Sequence, residues 1–195
     1  MGRVGKGLKG DWERDYEPWR KGFDPFFAQQ RSTPVKVLSW GPGESAPEYS
    51  KRVEICDDLA KDPNNSVFTP EQMIKEDPRF KGYGTLEAEE IQAADADVVI
   101  CLVVENPRVT GAPVEMTQFD KHPAIAHKLR LLMPNSAAAS RSLLYEASRR
   151  FPADQTFTYT RGQYSRCEDM RAKCRQWVDA VRIQKHLSRW RRGQS

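Results

Sequence analysis

The chain has 195 residues, 38% hydrophobic and 30% charged, with 31 Lys and Arg against 27 Asp and Glu for a formal net charge of +4. That length suits one domain of the usual roughly 100–200 residues plus appendages, and the polar composition implies exposed ends around a normal middle. No apolar run approaches the roughly 20 residues that span a bilayer. The start from Met1 to Lys6 leads into no apolar signal core, so a soluble, unexported, cytoplasmic protein with no membrane partner is expected.

Residues 1–33 mix glycines and basic residues with Trp12, Tyr16, Trp19 and Phe23 at helical spacing. They are expected to form an N-terminal aromatic arm whose rings pack on the chain's own domain or on a second subunit, a route to a homo-oligomer. From Pro34 the pattern turns to strands and helices. Val35 to Trp40 is β-rich and closes on Gly41-Pro42-Gly43, which predicts a first strand and its loop. A helix is predicted from about Pro47 to Lys61 on the spacing of Tyr49, Val53, Cys56 or Asp57, and Ala60, with Ile55 and Leu59 beside them, ended by Asp62-Pro63-Asn64-Asn65. Ser66 to Thr69 reads as a short second strand, residues 70 to about 84 as a loop, and Leu86 to Ala94 with Asp95 as a helix.

Val98 to Val104 is a continuous apolar run of seven residues, as expected for a central parallel strand covered on both faces. A helix starting near Pro113 and reaching Phe119 or Asp120 should follow. Leu129 to Met133 then predicts a fourth strand, Ser140 to Arg150 a helix, and Gln155 to Thr160 a fifth strand. Gln163 to about Arg192 reads as one long helix, the greater part of a basic C-terminal segment over 161–195 expected to pack on the 34–160 domain. Five strands separated by helices predict a flavodoxin-like, doubly wound, five-stranded parallel α/β sheet with helices on both faces. The basic end Ser188 to Arg192 suits a solvated terminus better than a nucleic-acid contact, which stays a lesser possibility.

In such sheets ligands bind beyond the carboxyl ends of the strands, where the chain reverses its direction across the sheet. Strand one delivers Gly41, Pro42, Gly43, Glu44 and Ser45, either a ligand-binding loop or an ordinary tight turn. Strand three delivers Asn106, Arg108 and Gly111, then Glu115 in a first helical turn, where a carboxylate serves chemistry or simply favours the helix dipole. Arg52 suits a phosphate clamp or a solvated surface position, and Tyr49 and Tyr159 suit base contacts or core packing. Cys56, Cys101, Cys167 and Cys174 lack CxxC spacing, and His122, His127 and His186 lie far from them in sequence. Buried free thiols, no metal and no cofactor are therefore expected.

The run Ala94-Asp95-Ala96-Asp97-Val98-Val99-Ile100-Cys101-Leu102, a variable loop, and Gly111-Ala112-Pro113-Val114-Glu115-Met116 resembles the nucleoside 2-deoxyribosyltransferase superfamily with its related nucleotide N-glycosidases and toll/interleukin-receptor-like domains. The resemblance covers roughly Val35 to Met133. It implies a flavodoxin-like core, a nucleotide or nucleoside as the small-molecule partner, and a glutamate at Glu115 that attacks or stabilises the anomeric carbon as the base leaves. The chemistry suits the residue, because breaking an N-glycosidic bond builds positive charge on the sugar. Asp95 and Asp97 lie at the amino end of strand three, so the sequence offers no evident second acid for the leaving base. The expected function is thus a nucleotide- or nucleoside-directed N-glycosidase or deoxyribosyltransferase-like enzyme, and the alternative a catalytically silent nucleotide-binding or protein-interaction module of the same fold.

Overall fold

The computed structural model of the chain describes residues 21, 24–80, 82–104, 122–135 and 150–192, without the side chains of Arg79, Thr85 and Leu86. By contact the chain divides into two compact units, 34–181 and the pair of segments 1–33 and 182–195. In the larger unit the elements run β1 (Val35–Trp40), α2 (Tyr49–Ala60), β2 (Asn65–Phe68), α3 (Pro70–Glu76), a 3-10 turn (Pro78–Phe80), α4 (Thr85–Asp95) and β3 (Val98–Leu102). They continue with α5 (Pro123–Ala126), β4 (Leu129–Pro134), β5 (Thr156–Tyr159), α6 (Arg161–Arg166) and α7 (Glu168–Arg192), which runs on into the smaller unit. Residues 24–31 of the smaller unit form helix α1.

The five strands make one sheet in the order β2-β1-β3-β4-β5, and every neighbouring pair is parallel. This is the flavodoxin-like order, and helices cover both faces. A strand alternates its side chains between the two faces with period two, so a strand buried on both sides must be apolar throughout. In β3, Val98, Ile100 and Leu102 join Val35, Val37 and Leu132 beneath Ile55 and Leu59 of α2 and Met170, Cys174 and Trp177 of α7. Val99, Cys101 and Val103 point the other way, with Leu38, Trp40, Leu131 and Met133, against Ala93 of α4 and Ile125 of α5. The unbroken apolar run of the central strand is the signature of these two layers.

Three predicted features need correction. The segment after β2 is not simply a loop, because Thr69 caps α3: its hydroxyl accepts from the backbone N–H of Gln72 while the Gln72 side chain accepts from the N–H of Thr69, and Pro70 opens the first turn. The last helix is two helices. Thr160 and Gln163 form a second capping box that starts α6, and Cys167 at φ 62° ends it before Glu168 and Asp169 open α7. The buried face of α2 is Arg52, Ile55 and Leu59, rotated from the Tyr49, Val53 and Ala60 face.

In the smaller unit Phe26 meets His186 edge-on with centroids 4.5 Å apart and Trp190 at 6.1 Å, and the Arg182 Nε–H donates to the Thr33 carbonyl at 3.2 Å. Trp12, Tyr16, Trp19 and Phe23 lie outside the described residues. No helix among the described residues is long and apolar enough to cross a membrane.

Candidate functional site

The strand order reverses direction between β1 and β3, and Trp40 lies in register with Cys101 at their carboxyl ends. The loop after β1 and the segment after β3 therefore leave the sheet from adjacent points. Gly41, at φ +154°, shows how closely. A Cβ there would stand 3.2 Å from both the Cβ and the carbonyl oxygen of Leu102 and 3.4 Å from Cδ of Arg52. Only glycine lets the chain turn this tightly over the end of β3. Gly41 and Pro42 are buried, Gly43 is half-buried, and Glu44 and Ser45 are exposed.

What fixes this loop is Arg52, neither solvated nor open to a phosphate as the sequence suggested. Its side chain is 1% exposed. Nη1–H donates to the Pro42 carbonyl at 3.0 Å and Nη2–H to the Ser39 carbonyl at 2.7 Å. The same two nitrogens grip both oxygens of Glu71, at 2.9 and 2.8 Å. Such a two-pronged guanidinium–carboxylate pair is the strong form of ion pair, and it answers the charge that burial would otherwise leave bare. Burial pushes the Glu71 carboxyl up, but the hydrogen bonds and charge of Arg52 outweigh it and hold its pKa below the ordinary carboxylate value. A phosphate at Arg52 would have to expel Glu71. Glu71 lay within the predicted loop, and the signal that could have found it was the Thr69-Pro70-Glu71-Gln72 helix start, which puts an acid in a first turn directly after β2.

Around this clamp the other candidates separate. Tyr49, half-buried, lines a groove of about 290 Å³ with Arg52, Val53, Cys56, Asp57, Val67 and Thr69, between α2 and β2. Glu44 turns outward to Lys75 at 2.8 Å, and that hydrogen bond raises the Lys75 pKa. Tyr159 is 3% exposed, stacks on Tyr164 at 5.4 Å, and donates its hydroxyl to the carbonyl of Val103 just past β3. That places Tyr159 in the core at the carboxyl end of the sheet. Burial pushes the neighbouring Tyr164 phenol up to about 12, and the charges of Glu48, Cys167 and Glu54 add to it. Tyr164 and Glu48 were not among the sequence candidates, since neither follows a strand directly.

Glu115, Asn106, Arg108, Gly111 and the helix start at Pro113 lie outside the described residues. The two acids before β3 bind at the amino end of the sheet: Asp97 accepts the backbone N–H of Lys36 at 2.8 Å, and Asp95 takes the Lys36 ammonium at 3.0 Å. They brace the start of β1. All four cysteines are free; burial pushes the Cys167 thiol up to about 11 and raises Cys56 and Cys174. Among the described residues no group of three or more His, Cys, Asp or Glu could hold a metal ion.

No protein-family model matches the chain, and no curated protein matches it. Among solved structures the chain is similar to an NADH:FMN oxidoreductase in its apo form, at 13% identity and a TM-score of 0.41, covering 77% of this chain and 89% of that one.

Proposed function

We propose that the protein is a nucleoside- or nucleotide-directed N-glycosidase or deoxyribosyltransferase-like enzyme that uses Glu115 on the sugar. The observation that supports this reading is one of chain order: in sequence the Gly111-Ala112-Pro113-Val114-Glu115 run follows the central strand β3 of a flavodoxin-like sheet, and Gly41 lies against the carboxyl end of that strand. The carboxylate of Glu115 either bonds to the anomeric carbon or offsets its positive charge while the carbon–nitrogen bond breaks and the base departs with that electron pair. Water, or a second base, then takes the sugar, and the departing base gains a proton. The backbone of Gly41 to Ser45 borders the ribose, and Arg52 acts as a positioning residue that sets this backbone rather than touching the ligand.

A cytoplasmic setting belongs to the same proposal and is supported by four free thiols. The test is incubation with deoxynucleosides, ribonucleosides, their phosphates and nicotinamide dinucleotide, with released base measured by chromatography. Glu115→Gln keeps side-chain volume but removes the charge and nearly all nucleophilicity. Release should fall by several orders of magnitude while melting changes little, because a charge at a helix end contributes only about 0.3–1 kcal/mol. Undiminished release from that variant removes Glu115 from the reaction. Saturable nucleotide binding with no release leaves the silent binding module, which the lack of an evident second acid favours.

A further inference from the structure

The smaller unit carries a charge that the rest of the chain does not share. Residues 1–33 hold seven Lys and Arg against five Asp and Glu, and 182–195 hold five against none, so the unit has a formal charge of +7 while 34–181 stand at −3. Its densest part is the end of α7, where 182–192 contain Arg182, Lys185, Arg189, Arg191 and Arg192 and no acid. Arg189, Arg191 and Arg192 are exposed. The helix dipole favours cations in a last turn, which accounts for basic residues there but not for an aromatic ring held among them.

Ile183, His186, Leu187 and Trp190 fall at i, i+3, i+4 and i+7, which puts them on one face of α7. Helix α1 covers the middle of that face: Phe26 meets His186 with ring centroids 4.5 Å apart, and His186 is 6% exposed. Phe26 also meets Trp190 at 6.1 Å and Phe27 at 5.6 Å, both edge to face. The two outer rings of this row stay open, Trp190 at 48% and Phe27 at 43%. A single exposed ring is ordinary. A cluster that holds two of them outward, one between Arg189 and Arg191, has the composition of a binding surface, where aromatic residues and arginine are enriched.

We propose that this end of the smaller unit binds single-stranded nucleic acid, with unpaired bases stacking on Trp190 and Phe27 and backbone phosphates paired by Arg189, Arg191 and Arg192. Charge gives the class of partner, since a strongly positive face calls for a polyanion. The rings narrow it. Every base offers a flat face to an aromatic side chain, and stacking of that kind requires an unpaired strand, because a duplex already stacks its bases on one another. Arginine suits the phosphate, as its planar fork makes two parallel hydrogen bonds where a lysine offers a point charge. An anionic membrane fits less well. A helix lying in a bilayer surface buries a continuous apolar face, and here Phe26 already occupies the middle of that face. The surface uses neither Glu115 nor the Gly41 loop, so it stands or falls separately from the proposed base release.

The experiment is fluorescence anisotropy of labelled oligothymidylate and oligouridylate titrated with the full chain across a salt series. At least one is expected to bind, with the logarithm of the association constant falling linearly against that of salt at a slope of about −2, roughly 0.7 for each of three phosphates. Replacing two of the arginines, Arg191→Gln with Arg192→Gln, should make the slope shallower by about 1.4. Trp190→Ala should weaken binding about fivefold or more, the loss of one stacked base, and Trp190→Phe should restore most of it. Trp190 also meets Phe26, so if Trp190→Ala fails to fold, Phe27→Ala must weaken binding in its place. The proposal is overturned if neither oligonucleotide binds, if the folded ring variants bind as tightly as the native chain, or if a duplex of the same length binds more tightly than the single strand. Uptake by phosphatidylserine vesicles without oligonucleotide binding would overturn it in favour of a membrane.

Discussion

Removing the carboxylate of Glu71 tests the clamp beneath the Gly41 loop. In Glu71→Ala the Arg52 guanidinium stays buried, keeps its bonds to the Ser39 and Pro42 carbonyls, and loses its charged partner with both hydrogen bonds to it. Stripping one member from a buried ion pair costs about 3–5 kcal/mol, because the remaining charge is desolvated without compensation. Glu71 is 31% exposed, so water can enter from its side and answer part of that charge. The expected cost is therefore at or just below the low end, about 2–3 kcal/mol. For a chain of this size each kcal/mol moves the melting temperature by about 2–4 °C, giving a drop of roughly 4–12 °C. Arg52→Met should cost less than a simple loss of the pair suggests, since Glu71 can hydrate and only two buried carbonyls are left unpaired. The double variant closes a cycle with a coupling of about 1–3 kcal/mol, measured by denaturant unfolding of all four proteins at neutral pH. A Glu71→Ala cost below about 0.5 kcal/mol, in the range of an ordinary surface change, would refute the clamp, as would strictly additive losses.

The remaining predictions concern the same loop. Gly41→Ala forces a Cβ to within 3.2 Å of Leu102 at a backbone angle that L-residues avoid, and should cost about 1–3 kcal/mol. Gly43→Ala, whose Cβ would have its nearest neighbour at 3.8 Å, should stay within about 0.5 kcal/mol; equal losses at both positions would contradict the close approach. Glu71 also predicts a pH dependence. Its pKa is lowered by folding, so the stabilisation is complete above the unfolded carboxyl value of roughly 4.3 and disappears as pH falls through the lower folded value. The native chain should lose stability more steeply than Glu71→Gln over that acid range, and parallel pH curves would show that the shift is absent.

The sheet was legible in the sequence because its signals are local. Val98 to Val104 has no polar residue to break it, and a run of that kind can be satisfied only by cover on both faces. Each predicted strand lies within one or two residues of its place, since a change from apolar run to Gly, Pro or Asn marks an end wherever the fold puts it. The clamp was illegible for the opposite reason. Arg52 stands between Lys51 and Glu54 of one helix, and its burial depends on Glu71, nineteen residues on, reaching the same point from α3. Spacing along one helix cannot report a partner on another. The break at Cys167 is of the same kind: Thr160 and Gln163 announce a helix start, but no glycine marks its end, and a cysteine occupies the left-handed position.

The electrostatics of the loop bear on which substrate the proposed reaction would take. Residues 41–48 contain no lysine or arginine and two glutamates, Glu44 and Glu48. Among the described residues the nearby cations Arg52 and Lys75 are already engaged, Arg52 by Glu71 and Lys75 by Glu44. A phosphate brought to this loop would meet carboxylates and would have to displace Glu44 or Glu71 from a charged partner to gain one of its own. A sugar hydroxyl meets no such obstacle, because it is neutral and needs only backbone groups or a carboxylate oxygen. The geometry around Gly41 thus favours a nucleoside over its 5′-phosphate unless Arg108, in the segment that follows β3 in sequence, takes the phosphate. Comparing kcat/KM for base release from a deoxynucleoside and from its 5′-monophosphate decides this, with Arg108→Ala measured on both. The nucleoside is expected to be released at least as efficiently. A preference of tenfold or more for the monophosphate that survives Arg108→Ala would mean that the loop itself receives the phosphate, and the argument from its spent cations would be wrong.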